Sequence, residues 1–394
     1  MIAQYILYSL SIVALILWMK YLLLSAYHGS SIASLKDAPF EHAETYPKLS
    51  IIIAARNEEA TIEKALRSLL ALPYPNLQIV IVNDRSTDRT GAIIDKLAAH
   101  DATLEVIHNT VLPSGWLGKV HALALGEKKA TGEWLLFTDA DIHFDEHVLE
   151  RAVAYCKDQN LDHLAMLPSD KTQHSGFFLP LFVFAFGGLF VQRVKARYLN
   201  KPGSSAYVGV GAFNLVKRST FEQSAGFEWL RMEVIDDGGV GLLIHNVGGK
   251  SALLNADGLL SFEWYPTVTE AIKGLEKNAF GGFTGYSYVK AIATIFSMWA
   301  TITLPFIVAA IYGDIWLLAA AIFFYSLLPA ASTFFVNNGV KIKTSIAASL
   351  PIGYFLVSLG IVYSTISAAK NNGLRWRDTF YTLDELREGR RVSI

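Results

Sequence analysis

Residues 49–54 read LSIIIA, an apolar run dominated by isoleucine that gives way at once to Ala55-Arg56-Asn57-Glu58-Glu59. A β-branched apolar run this short, bounded by polar residues, suits a buried strand. The pattern repeats: residues 78–82 (QIVIV), 104–107 and 134–138 (WLLFT) predict three further strands. Between them, residues 60–70, 90–99 and 120–130 carry helical periodicity. In the first of these, Ile62, Leu66, Leu69 and Leu70 share one face, and Pro73 and Pro75 end the element. Strand and helix alternating in this order predict a parallel sheet with helices on both faces. Ligands of such sheets bind at the carboxyl ends of the strands.

Three of those ends carry chemistry. The first strand runs into Arg56 and Glu58, the second into Asn83-Asp84-Arg85-Ser86-Thr87-Asp88, and the fourth into Asp139-Ala140-Asp141. Asp88 and Thr87 are helix-capping residue types. Capping does not account for Asp139 and Asp141, which directly follow an apolar strand. On extended backbone, residues two apart point to the same side, and His143 continues that register. Adjacent carboxylates repel unless a cation lies between them, and hard oxygen ligands suit Mg2+ or Mn2+. Such an ion would neutralise a diphosphate leaving group. A second acidic pair, Asp236-Asp237, heads the helical pattern Val240, Leu243, Ile244, Val247, where an acid is also a natural N-terminal cap.

The flanks are of a different kind. Of 394 residues, 52% are hydrophobic and only 18% charged, with net charge −1 and one cysteine. A charge near zero argues against a nucleic-acid partner. One thiol excludes a disulfide framework and a cysteine-based zinc site. Residues 5–27 carry a single charge, Lys20, and are long enough to cross about 30 Å of hydrocarbon. With no basic stretch before them and no small-residue cleavage site after, residues 1–35 are expected to be an uncleaved anchor. Residues 289–312, 315–336 and 344–368 predict about three more spans within a C-terminal membrane region, 289–369.

The polar residues 36–288 form the domain between these flanks, and residues 370–394 a polar tail. Residues 177–191 are apolar but contain Pro180, Gly187 and Gly188, and are followed by Gln192, Arg193, Lys195 and Arg197. They predict an interfacial segment, about 177–197, lying on an anionic leaflet. Lys20 and Lys36 after the first span place the middle domain in the cytoplasm, and Lys341 and Lys343 suit the same side. Three later spans would leave Arg375, Arg377, Arg387, Arg390 and Arg391 outside. A re-entrant hairpin broken at Pro351 and Gly353 would return them. Both topologies are open at this point.

The stretches IIIAARNEEATIEKAL, IVIVNDRSTDRT, GWLGKVHALALGEKKATGEWLLFTDAD and DDGGVGLLIHNVGGK together resemble the family 2 glycosyltransferases of GT-A fold, over roughly residues 48–283. The placement of the apolar segments is similar to the lipid-directed branch, which includes ceramide glucosyltransferases and carotenoid- and hopanoid-associated bacterial members. The resemblance implies an α/β GT-A (Rossmann-like) mixed sheet flanked by helices, with transmembrane helices at both ends. It implies that Arg56 and Glu58 line the nucleotide pocket, that Asp84 binds uracil, and that Lys119 lies near the diphosphate. Asp141 would be the direct ligand of Mn2+ or Mg2+, and Asp139 would stand nearer the ribose while sharing the metal. Asp236-Asp237 matches an acidic pair whose second member is the catalytic base. The family usually has Glu at the first of these positions, and this chain has Asp.

Processive members carry a Q-x-x-R-W motif before the next membrane span, and none stands there in this chain. Instead residues 274–280, GLEKNAF, resemble the GL-x-KN-x-F segment of the lipid-directed branch, with Lys277 toward the diphosphate. An inverting transfer needs one carboxylate to take the acceptor's proton, and a metal and basic groups to stabilise the departing nucleotide. The expected protein is an integral membrane enzyme, in a bacterial inner membrane. It would move one sugar from a UDP-sugar to a lipid or other apolar acceptor of ceramide, diacylglycerol, carotenoid or hopanoid type. Trp264, Tyr265, Phe280 and Phe283 are candidates for the acceptor entrance. Transfer to a polyprenyl phosphate is one alternative. Another is a non-catalytic membrane scaffold or transporter, although the spans lack the ionisable residues of a transport path.

Overall fold

The computed structural model describes residues 1–41, 45–170, 176–262, 265–332 and 343–393. Its centre is the strand β1 (Leu49–Ala55), flanked in parallel by β2 (Leu77–Asp84) and β4 (Trp134–Thr138), with β3 (Leu104–Asn109) parallel to β2 on the outside. Period-2 alternation sends Ile51, Ile53 and Leu136 into a core on one face of the sheet. Ile52, Leu135 and Phe137 enter a second core on the other. Both faces are covered, which is why β1 reads as a continuous apolar run rather than an alternating one. The helices Ile62–Leu70, Thr90–Ala98 and Gly118–Lys129 lie where their periodicity predicts, within two residues at each end.

Beyond β4 the sheet continues through Asn214–Lys217, His163–Leu167 and Ser251–Asn255 to seven strands. Asn214–Lys217 runs antiparallel to both of its neighbours, so the sheet is mixed. The strand–helix alternation alone predicts a wholly parallel sheet. It misses this strand because four residues between turns carry too little periodicity to register.

Among the described residues, four helices are long and apolar enough to cross a membrane: Ile2–Gly29, Phe178–Tyr198, Tyr288–Tyr312 and Leu350–Asn371. The second is the segment expected to lie flat at the interface. Its α-helical part, Phe178–Val194, is unbroken, because Pro180 stands in the first turn, where a missing N–H costs no hydrogen bond. Gly188 leaves room for the Tyr21 ring of the first helix. The helices meet around Trp18, 2% exposed, whose indole donates to the Phe324 carbonyl at 3.0 Å and packs edge-on against Tyr354. The span expected over 315–336 is shorter, an apolar helix over Ile315–Ala330 with a π-helical turn at Phe323–Leu327. Its expected end, together with Lys341 and Trp264, lies outside the described residues.

The tail is folded. Strands Gly373–Trp376 and Thr379–Thr382 form a hairpin, followed by the helix Leu383–Gly389 with a capping box at Thr382 and Glu385. The segment lies on the sheet domain. Buried Glu233 accepts the backbone N–H groups of Arg391 and Val392 at 2.6 and 2.8 Å, and the Arg387 guanidinium donates to the Tyr286 carbonyl at 3.0 Å. The five arginines therefore belong to a segment that packs against the sheet domain.

Candidate active site

Register alone assembles the first half of the site. Ala55 pairs with Asn83 and Ile53 with Thr138, so the residues just past these pairs, Arg56, Asp84 and Asp139, emerge along one edge of the sheet. Asp84 is 3% exposed and receives both arms of the Arg85 guanidinium, at 2.9 and 2.8 Å. Asn109 donates to it at 2.7 Å, and Arg56 lies 3.7 Å away. The Arg56 Nε is buried without a hydrogen-bond partner among the described residues, a polar atom that a ligand would satisfy.

Asp139 and Asp141 do not continue the strand as expected; β4 ends at Thr138 and the pair sits in a turn. Across the sheet edge, Asp139 donates its N–H to the Gly211 carbonyl at 3.0 Å, so the antiparallel strand carries residues 209–212 to the site. Lys119, one residue into its helix, bridges Asp139 at 2.8 Å and Asp236 at 3.0 Å. Desolvation alone would lower the ammonium's pKa, but the two carboxylates hold it well above the usual lysine range. Against the same desolvation, the ammonium keeps Asp139 below the usual carboxylate range.

Asp237 opens the helix Asp236–Asn246 and reaches the site because that helix packs closely on the loop before Asn214. The carboxylate accepts the Gly211 N–H at 3.0 Å and the Gly238 N–H at 2.7 Å. Asn214 holds its carbonyl at 3.3 Å. Two glycines make the approach possible: a β-carbon at Gly209 would stand 1.7 Å from the Asp237 carbonyl oxygen, and one at Gly241 1.6 Å from that of Val208. Burial, with Asp236 beside it, pushes the Asp237 carboxyl up to about 6. Burial and the neighbouring Asp139 do the same for Asp141, also to about 6.

Among the described residues, no group of three or more His, Cys, Asp or Glu side chains converges as a ready-made metal cage. His143 therefore does not complete a three-ligand set with Asp139 and Asp141. The donor chemistry nevertheless suits a divalent cation. Asp139 and Asp141 offer hard oxygens, and Asp141 is short of positive charge.

The structure brings Arg56, Glu58, Asp84, Lys119, Asp139, Asp141, Asp236, Asp237 and Lys277 to the wall of one cavity of about 3010 Å³. The same cavity runs on to Tyr21, Phe184 and Leu350 among the apolar helices. Tyr265 and Phe283 line it, whereas Phe280 is wholly buried in the core. Sequence reasoning missed Gly211, Asn214, Trp376, Arg377 and Asp378. The last two reach the site from the tail, Arg377 to Glu58 at 2.5 Å and Asp378 to Arg56 at 2.8 Å. The only signal for them was the unexplained run of arginines after the last apolar segment.

The seven-stranded mixed sheet flanked by helices, with acidic groups along its strand ends, has the architecture of the GT-A fold. Residues 50–223 match the model of the Glycosyl transferase family 2; the chain carries a domain of that family. Over 112 residues it is 38% identical to a Beta-monoglucosyldiacylglycerol synthase of Synechocystis sp., covering 28% of this chain and 23% of that one. Over 129 residues it is 33% identical to a 4,4'-diaponeurosporenoate glycosyltransferase of Staphylococcus haemolyticus, covering 32% and 33%. The matched stretch thus spans about a quarter to a third of these relatives' own lengths. Among solved structures, the mannosyltransferase PcManGT from Pyrobaculum calidifontis, in complex with GDP-Man and Mn2+, aligns with a TM-score of 0.58 at 17% identity, over 91% of this chain and 99% of that one. That likeness extends the shared fold over nearly the whole chain.

Proposed function

We propose that the chain is a membrane-embedded, inverting glycosyltransferase that moves a single sugar from a UDP-sugar to a hydroxyl or carboxyl of a lipid-like acceptor. The observation that carries this reading is the continuity of one cavity from the acids at the strand ends to the apolar helices. A lipid whose head reaches Asp237 can keep its tail among Tyr21, Phe184 and Leu350, an arrangement of no use to a soluble acceptor. The exposed apolar side chains of the four long helices, among them Ile6, Leu10, Ile16, Phe296, Ile311 and Phe355, support a lipid surrounding. The names of the two relatives, a Beta-monoglucosyldiacylglycerol synthase and a 4,4'-diaponeurosporenoate glycosyltransferase, agree with such an acceptor.

In this reading the acceptor O–H gives its proton to Asp237, held in position by the Gly211 and Gly238 N–H groups. The acceptor oxygen forms its bond to the anomeric carbon as the bond to the diphosphate breaks, and UDP departs with the electron pair. Lys119 and Lys277 face the charge that develops there. Arg56, Glu58 and Asp84 hold the nucleoside, and Asp141 with Asp139 would hold Mn2+ or Mg2+, which supplies Lewis-acid stabilisation of the diphosphate. Before the donor arrives, Lys119 links Asp139 to Asp236 and offsets the repulsion between the two carboxylates.

The protein in detergent, given Mn2+, UDP-glucose and a lipid extract, should release UDP and form a glycolipid detectable by mass spectrometry, and chelation should stop both. UDP bound without turnover on any lipid would favour the scaffold reading. Because Asp237 must be unprotonated to accept a proton and its carboxyl is held near 6, kcat/KM should rise with pH and level off above an apparent pKa near 6. A profile flat from pH 5 to 8 contradicts the assignment.

A further inference from the structure

The tail hairpin turns at Arg377 and Asp378, over the carboxyl end of β1. Arg377 has φ of 54°, in the left-handed region that favours glycine. A tight turn thus keeps an arginine in a conformation that suits a residue without a side chain, a kind of outlier that clusters at ligand sites. Its guanidinium pairs with Glu58, and that ion pair is half exposed, hence weakly held and readily exchanged. The residue before it, Trp376, places its ring centroid 4.7 Å from the Lys277 ammonium.

Lys277 forms no ion pair with a carboxylate among the described residues. Burial, and the nearby cations Lys119 and Arg377, lower its pKa. Lys119 is already committed to Asp139 and Asp236. Two cations on one side of the cavity, one without a carboxylate and one loosely paired, therefore face the place where an anion would complete the site.

We infer that Trp376 and Arg377 belong to the donor-binding site, an inference that rests on the function proposed above. Arg377 exchanges Glu58 for the diphosphate of the incoming nucleoside diphosphate, whose oxygens its planar fork fits. Trp376 is a positioning residue that holds Lys277 beside the same group. The tail is then a component of the donor site rather than a cytoplasmic appendage.

Calorimetric titration of the full chain in detergent, at fixed Mn2+, with UDP and with UMP tests this. The wild type should prefer UDP. Arg377→Gly removes the charge yet suits the turn, so it should weaken UDP binding about ten- to a hundredfold and change UMP by no more than about twofold, with no fall in the thermal midpoint. Trp376→Leu should weaken UDP selectively in the same way. Wild-type UDP affinity in Arg377→Gly, or an equal loss for UDP and UMP with a lowered midpoint, overturns the inference while leaving the proposed function standing. A wild type that binds neither nucleotide overturns the proposed function itself.

Discussion

Replacing Asp237 by Asn is expected to reduce turnover by about two to four orders of magnitude, the usual contribution of a positioned general base, while the chain still binds a UDP-sugar. The carboxylate accepts two backbone N–H groups, from Gly211 and Gly238. An amide has one acceptor oxygen, so one of these donors loses its partner, at a stability cost of about 1–3 kcal/mol. The two effects separate in the measurements: single-turnover rates report the missing base, and thermal unfolding in detergent reports the lost hydrogen bond. If Asp237→Asn turns over like wild type, proton transfer runs elsewhere, with Asp236 the next candidate.

The second large effect concerns the packing that delivers Asp237. Gly241→Ala would place a methyl group 1.6 Å from the Val208 carbonyl oxygen, a contact made by backbone on both sides. No rotamer relieves it, so the helix Asp236–Asn246 must move off the 208–211 loop. Overpacking of well-filled sites costs about 1–3 kcal/mol and more where backbone must shift; here the upper end or beyond is expected. The movement also separates the Gly211 N–H from Asp237, so activity should be lost even in the fraction that remains folded. Gly209→Ala, directed at the Asp237 carbonyl, should behave alike. A variant with wild-type unfolding temperature and rate would show that the helix and loop are not so tightly joined.

How much of this was legible beforehand follows from the range of each interaction. The isoleucines of β1, the alternating strands and helices, and the acids at three strand ends are local or nearly local features. Once four strands run parallel, Arg56, Asp84 and Asp139 must line up on one edge. The apolar helices were likewise legible, because length and lack of charge are properties of the segment itself. The interruptions expected within residues 177–191 are not there, since Phe178–Val194 is one continuous helix. Pro180 breaks nothing in a first turn, and Gly188 is a packing notch for Tyr21 rather than an interruption.

The sequence by itself determined the strand core, the acidic edge and the apolar flanks, since side-chain periodicity and the polarity of strand ends leave few alternatives. Only the tertiary structure decided that Asn214–Lys217 runs antiparallel, that Gly209 and Gly241 let Asp237 reach Gly211, and that Asp378 meets Arg56 across 322 positions of chain. These contacts depend on steric clearance and charge complementarity between surfaces distant in sequence, which leave no periodic trace. The tail's arginines were visible as composition, but the fold alone placed Arg377 at Glu58 and made the tail a wall of the site.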